Sequence, residues 1–296
     1  MTSYLYPYLQ ESASIGENLK NNYILTIQYS LDGLSFVIFD TKEQKFLCLK
    51  HYRFSYKDVL NATEQTSMLN ALLTELQEKE NWNINDFKEV ILLIDNNINT
   101  SVPAKFYQEE NKETYLKLLS RDANNSTGTE ILSDILSFDA VNIYTSNDNI
   151  TNLRLQLGDK IRIYHTSTIL IENLIKESSE RYPETRAFVN VKNNSYELIV
   201  INNSELIFHN YFNFNTKEDF LYFLLFAFEQ LKIDNETIPL YFIGFIEEKS
   251  PIVELCSRYV RNIRFFSRDN NLSYTNELDS IPYYYYYTLF SSIICE

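Results

Sequence analysis

Apolar and polar positions follow one order of short periods near the start of the chain and repeat it in the second half. Tyr23 to Ser30 is rich in β-forming residues. Leu31-Asp32-Gly33 supplies a turn, because Asp-Gly tolerates positive φ, and Leu34 to Asp40 reads as a second strand. Thr41 to Gln44 turns again, and Lys45 to Arg53 forms a third strand. Its run Phe46, Leu47, Cys48, Leu49 is apolar without alternation, which predicts cover on both faces. Met68, Leu69, Leu72, Leu73 and Leu76 then recur at helical spacing, with Glu75, Gln77, Glu78 and Lys79 opposite. Glu89 to Ile94 predicts a buried strand ending at Asp95, and a short helix is expected near Glu113 to Leu119.

The middle of the chain is less regular. Residues 1–21 read as a polar, tyrosine-bearing arm or docked extension, and Asp122 to Thr129 as a loop. A helix is predicted over 130–137, strands over Ala140 to Thr145 and Lys160 to His165, and an amphipathic helix over Thr168 to Arg181 that stops at Pro183.

The first order then returns. Ala187 to Val191, Tyr196 to Ile201 and Glu205 to Phe212 are strands joined by the turns Lys192 to Asn194 and Asn202-Asn203. Thr216-Lys217-Glu218-Asp219 fits a capping box before a helix over Phe220 to Leu231. That helix is apolar almost all round, which predicts burial. Pro239 to Phe245 is a strand, Ser250-Pro251 starts a helix with serine as N-cap and proline at N1, and Ile263 to Phe266 is a last strand. The segment over 281–295, with Tyr283 to Tyr287 consecutive, reads as a terminal helix or strand; those tyrosines serve either as a docking surface or as packing. Both halves read β-β-β-α-β-α, with Tyr23 laid against Phe188. The fold class expected is α/β, with a parallel portion from the strand-helix-strand steps and an antiparallel edge from the hairpins. The domains expected are 1–182 and 183–296.

Composition narrows the function. Hydrophobic residues make up 45% of the chain, enough for two cores. The net charge of -14 opposes binding to nucleic acid and anionic lipid. Arg258, Arg261, Arg264 and Arg268 form a local basic cluster, read as neutralising nearby acids. Three scattered cysteines, Cys48, Cys256 and Cys295, make neither a disulfide framework nor a zinc site. Met1 to Glu11 has no basic start and no sustained apolar core, and the longest apolar run, Phe220 to Phe228, is too short for a membrane span. The compartment expected is the cytoplasm. Only 5 glycines and 3 histidines weigh against glycine-cradled phosphate sites and histidine metal sites. No catalytic residue and no metal ligand stands out. Glu109-Glu110 and Glu247-Glu248 read as solvated pairs, and Cys48 and Cys256 as buried apolar residues rather than nucleophiles.

The duplicated order resembles the actin-like ATPase superfamily, whose fold is ribonuclease H-like, with two domains that each carry a mixed five-stranded sheet flanked by helices. Ser30-Leu31-Asp32-Gly33 lies on the first hairpin, where that superfamily holds its first phosphate loop. Val102-Pro103-Ala104-Lys105-Phe106 looks like the V-P-A-x-F segment of its chaperone members. Phe242-Ile243-Gly244-Phe245-Ile246, leading to Ser250-Pro251, looks like their adenosine segment, and Ile281-Pro282 precedes what resembles their closing helix. Within the superfamily the resemblance is to uncharacterised bacterial proteins with eroded nucleotide motifs. It implies a vestigial nucleotide cleft lined by Ser30, Asp32, Gly33, Asn190, Lys192, Ser195 and Gly244. It also implies ATP with magnesium as the family's ligand, and it allows an inserted subdomain within 96–165.

The departures matter more. Where the family carries an Asp near the end of the first strand, this chain has Gln28-Tyr29. The D-x-G-x-G-T loop is replaced by Asn190-Val191-Lys192-Asn193-Asn194-Ser195, without glycine. One of two adenosine glycines remains, Gly244. Asp95, where the family holds a water-orienting group, reads as a turn-starting residue, and Lys192 as an ordinary turn lysine. The expectation is a non-catalytic actin-like module for an unknown protein partner, with no cofactor. A divergent ATPase or kinase is the alternative, and a polymerising, homo-oligomeric protein ranks last.

Overall fold

The computed structural model describes residues 4–5, 22–30, 33–53, 82–118, 129–181, 185–268 and 272–293. The helix expected over 68–79, the loop over 122–128, most of the arm over 1–21, Asp32, Pro183 and Cys295 lie outside the described residues. The chain divides into two compact units, Met1–Ile169 with Asp269–Ile281, and Leu170–Arg268 with Pro282–Cys295.

The first unit opens with β1 (Tyr4–Leu5), β2 (Tyr23–Ser30), β3 (Gly33–Asp40) and β4 (Lys45–Arg53), followed by β5 (Glu89–Asp95). Then come β6 (Asn99–Pro103), α1 (Lys112–Lys117), β7 (Thr129–Leu136), β8 (Ala140–Asn147), α2 (Asp148–Leu157), β9 (Ile161–His165) and the start of α3 (Thr166–Arg181). The main sheet runs β4-β3-β2-β5-β9. The hairpins β2–β3 and β3–β4 are antiparallel, and β2–β5 and β5–β9 are parallel. β3 is buried along its whole length, in keeping with its apolar run Phe36 to Phe39. Leu25, Ile27, Phe36, Leu92, Trp82 and Phe87 lie in one core.

β6, β8 and β7 form a separate three-stranded antiparallel sheet. α1 covers one face of it, where Leu116 packs on Val141 and Ile143. The helix expected over 130–137 is instead strand β7, paired with β8 from Thr129↔Asn147 to Leu136↔Ala140. Ile131, Leu132, Ile135 and Leu136 suit either period over so short a run. The hairpin through Asp139, at φ 60, decided for the strand.

The second unit repeats the plan with β10 (Arg186–Val191), β11 (Ser195–Asn202), β12 (Glu205–Asn213), α4 (Lys217–Gln230), β13 (Pro239–Gly244), α5 (Pro251–Cys256) and β14 (Asn262–Phe265). Its sheet order is β12-β11-β10-β13-β14, the same spatial order as in the first unit. Thr216 and Asp219 close the expected capping box on α4, and Ser250 caps α5 with Pro251 behind it. α4 is not buried all round: Tyr222 is 62% and Phe226 45% exposed. Its inner stripe of Phe220, Leu224 and Phe228 is enough to seat it, so the remaining apolar residues face water.

In the closing segment, β15 (Ser273–Tyr274) and α6 (Asn276–Asp279) belong to the first unit, and β15 pairs β4. The tyrosine run is a turn, not a helix, through Tyr286 at φ 53; only then does α7 (Tyr287–Ser291) begin. Tyr284 to Tyr287 are buried against Phe265, Phe245 and Phe266 of their own unit, and Tyr283 alone of the five is exposed. A left-handed residue inside the run lets consecutive rings pack in different directions, so their role is packing.

Candidate functional site

In each sheet the first strand lies beside and parallel to the fourth. Open α/β sheets hold ligands outside the carboxyl ends of such strands, at the point where the strand order reverses. In the first unit that edge carries Gln28, Ser30 and Asp95, with Ser30 and Asp95 in register across β2 and β5. Gln28 Nε2 donates to Asp95 Oδ2 at 3.0 Å, and Thr166 Oγ1, at the head of α3, donates to Oδ1 at 3.1 Å. Ser30 Oγ donates to the Gly33 carbonyl at 3.0 Å and closes the hairpin locally. Ser30 and Gly33 are thus brought together. Asp95 is not the turn-starting residue that its sequence context suggests. It is buried and its carboxylate holds two side-chain donors, while Asn96 makes the turn by accepting from Ile98 N at 2.8 Å.

A second polar group nearby was not legible in the sequence. Asp134 on β7 is buried and accepts from Tyr144 OH at 2.9 Å, from His165 N at 2.9 Å and from Thr168 Oγ1 at 2.7 Å. Burial pushes its carboxyl up to about 6, against the lowering effect of those three donors. Burial and the neighbouring Asp134 together push the Tyr144 hydroxyl up as well. Asn142 Nδ2 donates to Thr168 Oγ1 at 2.9 Å. Ser167 N donates to His165 Nδ1 at 3.1 Å, so the other ring nitrogen, Nε2, is the one that donates, to the Asn96 carbonyl at 3.1 Å. The available signal is weak: an acid inside a segment whose period suits a helix as well as a strand.

In the second unit Asn190, Lys192, Ser195 and Gly244 do gather around one turn. Lys192 N donates to the Ser195 carbonyl at 2.8 Å, Phe245 N to the Val191 carbonyl at 2.9 Å, and Gly244 N to the Tyr284 carbonyl at 2.8 Å. Gly244 stands at φ 87, and a Cβ there would meet the Val191 carbonyl oxygen at 2.3 Å and Asn190 Oδ1 at 2.7 Å. Its missing side chain therefore admits the neighbouring backbone. The amides of a phosphate loop face open space; here the Lys192, Gly244 and Phe245 amides donate to the protein's own carbonyls. Lys192 Nζ lies 5.0 Å from the centre of the Tyr211 ring. Asn190 Nδ2 donates to Glu197 Oε2 at 3.3 Å, and Glu197 Oε1 meets His209 Nε2 at 2.8 Å. Glu197 is fully buried, and its place within the apolar run of β11 was a readable signal of a paired acid.

The remaining candidates resolve without chemistry. Arg261 pairs with Glu236 at 3.3 Å, and Arg268 is buried with its guanidinium 4.5 Å from the Phe290 ring. Cys48 and Cys256 are buried and unbridged, and burial pushes the Cys256 thiol up to about 12. Among the described residues there is no group of three or more His, Cys, Asp or Glu placed to hold a metal ion. No described helix is long and apolar enough to cross a membrane.

A family model described as a protein of unknown function (DUF3822) matches residues 15–263. No curated protein matches the chain. Among solved structures the chain is similar to a Bacteroides thetaiotaomicron protein with an actin-like ATPase fold and unknown function, at TM-score 0.76 and 19% identity, over 96% of this chain and 100% of that one. It is also similar to a chain of the PilM–PilN type IV pilus biogenesis complex, at TM-score 0.59 and 9% identity, over 94% of this chain and 97% of that one. At these identities the likeness is one of fold: the duplicated sheets form the actin-like ATPase fold.

Proposed function

The chain belongs to the DUF3822 family of proteins of unknown function, and from that premise we propose that it is a non-catalytic actin-like module that binds a protein partner, its nucleotide chemistry lost. The observation that carries this reading is the turn at Asn190 to Ser195, where the Lys192 amide closes on the Ser195 carbonyl and the Val191 carbonyl fills the space beside the neighbouring Gly244. Asp95 supports it too, since its carboxylate holds Gln28 and Thr166. A neighbour of the same fold comes from a protein–protein complex, PilM–PilN, which agrees with a binding role. The net charge of -14 favours a protein partner over nucleic acid. Buried, unbridged Cys48 and Cys256 agree with a reducing compartment, the cytoplasm.

Calorimetric titration of ATP with magnesium tests the reading. No heat and no thermal shift at nucleotide concentrations of about 1 mM are expected, and micromolar binding overturns it. The second reading, a divergent ATPase or kinase, is favoured by one feature, the polar group Gln28, Ser30 and Asp95 at the carboxyl ends of β2 and β5. It requires magnesium-dependent phosphate release that is lost on Asp32→Ala or Asp95→Asn.

A further inference from the structure

Five aromatic rings form one continuous strip in the second unit. Phe208 stacks on Phe212 at 6.5 Å and Phe212 on Phe223 at 5.7 Å. Phe223 meets Tyr222 edge-on at 5.3 Å, and Tyr222 stacks on Phe226 at 6.2 Å. None of the five is buried, and Tyr222 and Phe226 are among the exposed large apolar residues. The strip starts on β12, an edge strand with no neighbour on its outer side among the described residues, and continues onto the outer face of α4. Contiguous exposed apolar surface marks interaction sites, and aromatic rings are enriched there.

The duplication supplies a comparison within the same chain. β4 holds the place of β12 in the first sheet, and its outer side is covered by β1 and β15. Phe46 on β4 is fully buried, with Tyr274 of β15 stacked on it at 5.3 Å. Among the described residues, one plan thus gives one covered edge and one open edge. Strand addition to β12 is disfavoured by its register shift opposite Val200 and Ile201, and by Asn210, whose Oδ1 takes the Tyr211 N–H at 2.9 Å. Side-chain docking on the rings is left.

Charge selects the occupant. Exposed Glu218 precedes Tyr222 by one helical turn and exposed Glu229 follows Phe226 by about one turn, while Lys217, the basic residue of α4, lies beside Glu218 at 3.9 Å. A second copy would bring the same acids, and a net charge of -14, against this face. We propose that the Phe208–Phe226 aromatic strip docks an amphipathic segment of a partner protein whose apolar side chains are flanked by lysine or arginine. The proposal rests on the protein-binding reading and gives that reading its surface.

The test uses the full chain and, as probe, a labelled leucine–lysine amphipathic peptide of about 15 residues, followed by fluorescence anisotropy. Binding is expected, weakened at least about tenfold in the double variant Tyr222→Ser/Phe226→Ser. An isomorphous leucine–glutamate peptide should not bind. Both residues are exposed, so the double variant should melt with the parent. Equal affinity of parent and variant, or no binding by either, overturns the proposal. A concentration-dependent dimer in sedimentation velocity that the double variant abolishes also overturns it, in favour of a second copy. The protein-binding reading fails separately, by ATP–magnesium binding in parent and variant alike.

Discussion

Gly244 combines a φ of 87 with backbone at its Cβ position, the Val191 carbonyl oxygen 2.3 Å away. Neither the strain nor the clash is relieved by moving a flexible side chain, so Gly244→Ala should destabilise the fold by about 2–3 kcal/mol, read from urea unfolding. Asp134 makes a prediction with a sign. Its folded value of about 6 lies above the ordinary carboxylate value of about 4. The folded chain therefore binds more protons than the unfolded chain between those values. The contribution of Asp134 to stability is present below pH about 4 and is lost as pH rises through about 6, on the order of 3 kcal/mol in all. Asp134→Asn cannot ionise, so unfolding midpoints measured from pH about 4.5 to about 7.5 should show a flatter profile than the parent's. A glycine before Phe245 was visible, but its use, close approach to Val191, depends on a strand contact between β10 and β13. Asp95 was visible as a strand-ending acid, and the donors that hold it come from β2 and the head of α3, far away in sequence.

Among the elements, α4 shows how local and tertiary signals divide. Thr216 accepts from Asp219 N, and Asp219 reaches back to Thr216 N at 3.0 Å, a motif contained in four consecutive residues. Thr216→Ala should cost about 1 kcal/mol, with the loss seen in thermal melts and the α4 amides exchanging faster. The helix and its start were therefore readable in advance. Which of its apolar residues lie inside was not, because Phe220 and Tyr222 differ only in which side of the cylinder meets the sheet. β7 is the opposite case. Its pattern fits two periods, and the hairpin partner β8, not the segment itself, sets the strand. The tyrosine run adds a third: five like residues imply a single conformation by propensity, while Tyr286 at φ 53 breaks it where rings must pack on Phe245 and Phe266.

At the scale of the whole molecule, the net charge of -14 works against the compact state. Raising sodium chloride from about 0.02 M to about 0.5 M shortens the screening length from roughly 20 Å to a few ångströms. The melting temperature should rise with it, whereas a fold held mainly by surface ion pairs would lose stability. The duplicated plan itself was determined by the sequence alone, because each strand and hairpin has its period and its turn residues within a few positions, and the same order occurs twice. The absence of glycine from the turn over Lys192 to Ser195 was determined there too. Only the tertiary structure decided what that turn became. The direction of an amide, the partner of Asp95 and the burial of Asp134 are set by strands brought together from distant parts of the chain, and no local pattern encodes that neighbour. The β12 edge, left open among the described residues, belongs to the same class, since the cover that β4 receives comes from β1 and β15, far apart in the chain.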